Sequence, residues 1–125
     1  MTVALREEAG GKVLVIRLGG RLLAADYEKF IPVVQRMLRQ HEHIRLLIQM
    51  HDFHGWSLSK LWKDLPPDQI RFADIERLGF VGDPQWQSGS AAFCKPFSKA
   101  TVRHFDENKA RESLNWITEG LRDPV

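Results

Sequence analysis

A chain of 125 residues, 43% hydrophobic and 27% charged, has the size and composition of one globular domain with its own core, spanning residues 1–125. The formal net charge is +2 and Lys and Arg are scattered, which argues against a dedicated nucleic-acid binder and leaves room only for weak attraction to an anionic membrane surface. The single cysteine, Cys94, excludes an internal disulfide, residues 1–12 lack an apolar signal core, and no run approaches the roughly 18 apolar residues of a membrane span, so a cytoplasmic chain with at most peripheral membrane contact is expected.

Residues 3–8 read as a first strand ended by Gly10 and Gly11. Residues 12–18 (KVLVIRL) are rich in β-branched side chains and read as a second, with the short Gly-Gly link favouring an antiparallel hairpin. Gly19 and Gly20 are expected to close that strand. Over residues 25–40, Tyr27, Phe30, Ile31, Val34, Met37 and Leu38 recur at helical spacing, with Asp26 in the first turn and a kink expected at Pro32. His41 and His43 then suit the negative end of the helix dipole.

Residues 44–50 form a nearly unbroken apolar run, as for a strand covered on both faces. A turn is expected next, then a short helix capped by Ser57, with Leu58, Leu61, Trp62 and Leu65 on its apolar face and Pro66 and Pro67 ending it. Residues 52–70 are expected to be the most mobile ordered part, able to act as a lid. Residues 68–75 are ambiguous between short helix and irregular chain. Residues 77–81 read as a strand, Asp83 and Pro84 as the start of a helix reaching about Lys95, and residues 100–105 as the last strand. Asp106 is expected to cap a final helix with Ala110, Leu114, Ile117 and Leu121 on its core face, ended near Gly120. The order ββαβαβαβα implies a mixed, mainly parallel sheet of about five strands with helices on both faces, and residues 44–50 and 77–81 central in it.

Chemistry concentrates where the apolar strand meets the next helix. Residues 44–65 carry two of the four tryptophans and two of the five histidines. Sites in open α/β sheets gather beyond the carboxyl ends of parallel strands. Phe53, Trp56 and Trp62 supply apolar walls there, His54 a polar orienting group, and Asp83 and Trp86 follow the neighbouring strand. Trp56 and Trp62 beside Lys60 and Lys63 also suit a membrane interface. The bland reading of the same residues is packing of the helix on the sheet. His51, Asp52 and His54 are metal-ligating types, but in an extended segment the two histidines point to roughly opposite faces, and a polar loop is the expected reading. Gly55-Trp56-Ser57-Leu58-Ser59 is a near miss to a nucleophile elbow, with Asp83 and His104 later in the chain. It lacks the second glycine and any glycine-rich oxyanion segment, and a capping role explains Ser57. Cys94 has no activating neighbour in sequence and reads as a small core residue.

Five stretches together resemble the SpoIIAA-like family, relatives of the STAS domains of anti-sigma-factor antagonists and sulfate transporters. They are residues 20–27 (GRLLAADY) with Pro32; 44–48 (IRLLI); Gly55 and Trp56 with Leu61 and Trp62; 77–83 (RLGFVGD) with Trp86; and 101–106 (TVRHFD) with Ala110 and Trp116. The resemblance implies a STAS-like α/β fold, also similar to CRAL-TRIO lipid-binding domains, and a carrier of small apolar ligands. Where STAS antagonists carry a phosphorylated serine, this chain has Asp52, Phe53, His54 and Gly55, so a phosphoserine switch is not expected. The resulting expectation is a non-enzymatic domain without metal or cofactor. It would bind an apolar small molecule or lipid through Phe53, His54, Trp56, Trp62, Asp83 and Trp86, with peripheral membrane contact. The alternative is a protein–protein regulatory module, homodimer included. A hydrolase using Ser57, Asp83 and His104 comes third.

Overall fold

A computed structural model describes residues 2–22, 24–56, 72–82 and 99–121; side chains are described for these except 2, 3, 20–22, 24–28, 30, 51–56 and 72. The strands are β1 (Thr2–Glu8), β2 (Val13–Leu22), β3 (Ile44–Trp56), β4 (Ile75–Val81) and β5 (Thr101–Phe105). The helices are α1 (Ala24–Gln40) and α2 (Ala110–Ile117). The expected helices after Ser57 and Asp83 lie outside the described residues.

The five strands form one sheet in sequential order, β1 to β5. β1 pairs antiparallel with β2, and the remaining pairs are parallel. β3 is therefore the middle strand and β4 an inner one, as their apolar character requires. The β1–β2 link is a short 3₁₀ turn, Ala9–Gly11, in which Ala9, Gly10 and Gly11 have φ of 52°, 67° and 90°. Glycine is needed most at Gly11, where a Cβ would also stand 3.1 Å from His41 Nε2.

Strand alternation divides the core in two. Leu14, Ile16 and Leu18 of β2, Leu46 and Ile48 of β3, and Leu78 and Phe80 of β4 pack with Val34, Met37 and Leu38 of α1. On the opposite face, Val13, Val15, Leu47, Val81 and Phe105 pack with Ile117 of α2, flanked by Ala110, Leu114, Trp116 and Leu121. The register sets the layers: Leu14 lies beside Leu46 and Leu46 beside Leu78, while Ile16 lies beside Ile48 and Ile48 beside Phe80. The two helices thus cover opposite faces of the sheet. α1 continues through Pro32, which is exposed, so water can serve the carbonyl left without its helical donor.

Three local expectations are corrected. Gly19 and Gly20 do not end β2, which runs to Leu22. The turn expected after Met50 is strand as far as Trp56. Asp106 does not cap α2. A 3₁₀ turn, Glu107–Lys109, intervenes, and the Asp106 backbone carbonyl accepts from Lys109 N at 2.8 Å without any side-chain cap. Within the ambiguous 68–75 segment, Phe72–Asp74 form a 3₁₀ turn and Ile75 already belongs to β4.

Candidate functional site

The unusual part of the sheet is the far end of β3. β4 accompanies β3 only as far as the pair Gln49–Val81, and β1 accompanies β2 only to Thr2–Gly19. Beyond them β2 and β3 continue as a two-stranded parallel ribbon, pairing Gly20 with Phe53, Arg21 with Gly55 and Leu22 with Trp56. Between the pairs Leu18–Met50 and Leu22–Trp56, β2 advances four residues and β3 six, so β3 carries two extra residues there, at the register shifts on either side of Gly20. Such bulges bend a strand and often end regular pairing near a site. Among the described residues no third strand pairs with this ribbon.

Phe53, His54 and Trp56, expected in a turn, are on the backbone of this ribbon. Their side chains, and those of His51 and Asp52, lie outside the description, as do Ser57, Trp62, Asp83, Trp86 and Cys94 altogether. The structure thus brings three of the six expected ligand residues to one strand end. Of the expected lid, residues 52–56 belong to β3 and the rest falls outside the described residues. Among the described residues, no three His, Cys, Asp or Glu side chains group as a metal site would need.

Of the three residues in the hydrolase reading, only His104 is described. It sits on β5 beside Phe80, the rings stacked with centroids 5.2 Å apart and planes 15° apart. Partial burial disfavours the imidazolium and lowers the His104 pKa below the ordinary 6.5, which favours the neutral ring.

A second cluster lies on the α2 face and was not anticipated. Arg45, only 8% exposed, reaches from β3 beneath the end of α2. Its Nη1 donates to the carbonyls of Ile117 at 3.1 Å and Glu119 at 2.6 Å, and its Nε to Glu76 Oε2 at 3.1 Å. Arg77, its register neighbour on β4, donates from Nη1 to the Trp116 carbonyl at 2.7 Å and from Nη2 to Glu119 Oε1 at 3.2 Å. The Arg77 guanidinium also lies 5.2 Å from the Trp116 ring centroid. Arg103 of β5 lies over Phe105 at 4.8 Å and toward Trp116 at 6.0 Å. The indole rests on bare backbone, since a Cβ on Gly79 would stand 3.2 Å from Trp116 Cζ3 and 2.9 Å from Leu47 Cδ1. Two cations thus serve the carbonyls and negative dipole end that a helix leaves unsatisfied. This chemistry holds α2 in place. The available sequence signal was an arginine interrupting each apolar strand, in IRLLI and IERLGFV.

A family model described as SpoIIAA-like matches residues 13–118, from the start of β2 to just past α2. The chain belongs to the SpoIIAA-like family. Its fold is similar to the crystal structure of an uncharacterized protein from the DUF3478 family, with a SpoIIAA-like fold, from Shewanella loihica PV-4. The two share 22% identity over 93% of this chain and 92% of that one, with a TM-score of 0.62. At that identity the match speaks for the fold alone. No curated protein matches the sequence. The SpoIIAA-like assignment therefore confirms the STAS-like α/β architecture, with its five-stranded mixed sheet and a helix on each face. Neither match bears on lipid binding, on CRAL-TRIO domains or on a membrane. No helix among the described residues is long and apolar enough to cross one.

Proposed function

We propose that this SpoIIAA-like chain is a single, non-enzymatic binding domain that engages a partner protein at the ribbon formed by residues 20–22 and 53–56. The observation that carries this reading is the ribbon itself, running past both β1 and β4. Strand backbone with no further strand beside it among the described residues offers N–H and C=O groups to an added strand, a recurrent mode of protein recognition. Phe53, His54 and Trp56 would supply side-chain contacts, and aromatic residues are enriched at such interfaces. The missing phosphorylatable serine at Asp52–Gly55 leaves constitutive binding as the simplest mode.

The aromatic content of the ribbon favours a second reading, in which Phe53, His54 and Trp56, with Trp62, Asp83 and Trp86, enclose a small apolar molecule or lipid. A photo-crosslinking amino acid placed at Trp56, and at exposed Arg39 as a control, separates the two in the source cell. A discrete protein adduct from position 56 alone supports the partner reading. Failure to exceed the Arg39 control refutes it. Uptake of a fluorescent fatty acid, lost in Trp56→Ala, supports the apolar-ligand reading instead. Cosedimentation of the wild type with anionic vesicles at low salt tests membrane contact, and absence of binding removes it.

A further inference from the structure

The two edges of the sheet differ in how their charges are settled. β1 closes one side, and its ionic side chains are internally paired: Arg6 meets Glu8 at 2.6 Å, and Glu7 meets Arg36 of α1 at 2.5 Å. Among the described residues, β5 closes the other side. Thr101, Val102, Arg103 and His104 are all exposed, and Val102 is the one exposed large hydrophobic residue among those described. No described carboxylate forms an ion pair with Arg103. Its guanidinium lies against the Phe105 and Trp116 rings on the α2 face. An arginine already held on aromatic surface loses little side-chain freedom when a carboxylate arrives. Lys99, Lys109 and Arg111 add exposed positive charge on either side of the strand in sequence.

We infer that the outer edge of β5 is a docking strand for an extended acidic segment of a partner protein, which adds to the sheet as a sixth strand. Alternation defines the chemistry of that segment. Thr101, Arg103 and Phe105 point to the α2 face, and Val102 and His104 to the α1 face, beside Leu78 and Phe80. An incoming strand therefore needs a carboxylate on the α2 face opposite Arg103 and a small apolar residue on the other face beside Val102, so acidic and apolar residues alternate. A second copy of this chain is the poorer occupant. A two-fold β5–β5 pairing centred on this strand brings two Arg103 guanidinium groups together, and like charges at close cross-strand range are unfavourable. This surface is separate from the ribbon of the proposed function, and either could stand without the other.

The test uses the full 125-residue chain and a fluorescein-labelled ten-residue peptide alternating Val and Glu. Its two controls are the same peptide N-methylated at alternate amides and a Val/Lys version. Anisotropy at low salt is expected to report binding of the Val/Glu peptide, with amide shifts centred on residues 101–105 in NMR spectra. N-methylation should abolish binding, because it removes strand pairing without altering charge. Arg103→Ala should weaken binding roughly two- to fivefold, the range for an exposed ion pair. Arg103→Glu should lose the Val/Glu peptide and gain the Val/Lys peptide, an exchange that a merely destabilised protein cannot produce. The inference is overturned by no binding, by equal binding of the N-methylated peptide, by shifts centred elsewhere, or by a concentration-dependent dimer through β5 that excludes the peptide.

Discussion

Replacing Arg45 with methionine isolates what the buried guanidinium does for α2. Methionine keeps most of the apolar stem and removes every donor. Three bonds are lost, and they are not equal. Ile117 is fully buried, so its carbonyl cannot turn to water and keeps the full cost of an unmet acceptor, about 1–3 kcal/mol. Glu119 is exposed, so water can replace Arg45 at its carbonyl, and the shorter 2.6 Å bond contributes less than its length suggests. The Glu76 carboxylate is 41% exposed and its ion pair adds at most about 1 kcal/mol. The expected loss is therefore about 2–4 kcal/mol, read as a shift of the urea midpoint at unchanged m-value. Glu76→Gln should cost less than about 1 kcal/mol by the same reasoning. Native-state hydrogen exchange should show the Arg45→Met loss first at the amides of Thr118, Glu119 and Leu121, which donate to carbonyls around the same helix end. A loss for Arg45→Met no larger than that for Glu76→Gln would refute the assignment, because the buried carbonyl would then carry no weight.

Gly79→Ala places a methyl group 2.9 Å from Leu47 Cδ1 and 3.2 Å from the Trp116 ring, and should cost about 1–3 kcal/mol in urea unfolding; Leu47→Val in the same chain should recover part of it. His104 should titrate in NMR with a midpoint below 6.5, because burial disfavours its charged form. The unfolded chain then takes up the proton first as pH falls, so this contribution to stability is complete above 6.5 and is lost on descending through the folded midpoint. His104→Asn should flatten that part of the pH profile, and a midpoint at or above 6.5 would contradict the burial argument. Gly11→Ala combines a φ of +90° with a 3.1 Å approach to His41, and should lower the melting temperature while the same change at Gly120, which has open space around its Cβ position, lowers it less.

Nearly unbroken apolar runs made most of the sheet legible. Val13 to Leu18 and Ile44 to Ile48 are almost all apolar, which is what a strand buried on both faces demands, and each turned out to serve two cores at once. The helix over 25–40 was equally plain, because its apolar residues repeat at helical spacing. The end of β3 was not legible. Its bulges displace the alternation, and the polar and aromatic residues from His51 onward read as a turn when only the sequence is in view. Glycines at 19 and 20 looked like a stop but belong to the irregular pairing itself. The arginine latch was hidden for a different reason. Arg45 looks like a surface residue interrupting an apolar run, and only the position of the α2 carbonyls makes it a buried cation with a task. Of the candidate site, the sequence pointed to the end of β3, and the ribbon geometry there came only from the register.

Latch and ribbon occupy opposite ends of the same strand. Arg45 is the second residue of β3 and Trp56 the last, about 30 Å apart by strand rise even allowing for the bulges. In the described core they are linked through the paired backbones of β2 and β3 and the buried layers of Leu46, Leu47 and Ile48. If the ribbon serves binding rather than core packing, Trp56→Ala should cost little stability, against the roughly 3–5 kcal/mol expected of a truncated core tryptophan. The double variant Arg45→Met with Trp56→Ala should then equal the sum of its parts to within about 0.5 kcal/mol, as distant independent sites do. A coupling above about 1 kcal/mol would place both residues in one cooperative unit. In that case a partner bound at the ribbon would also tighten α2, and the ribbon could no longer be treated as a surface added to a core that stands without it.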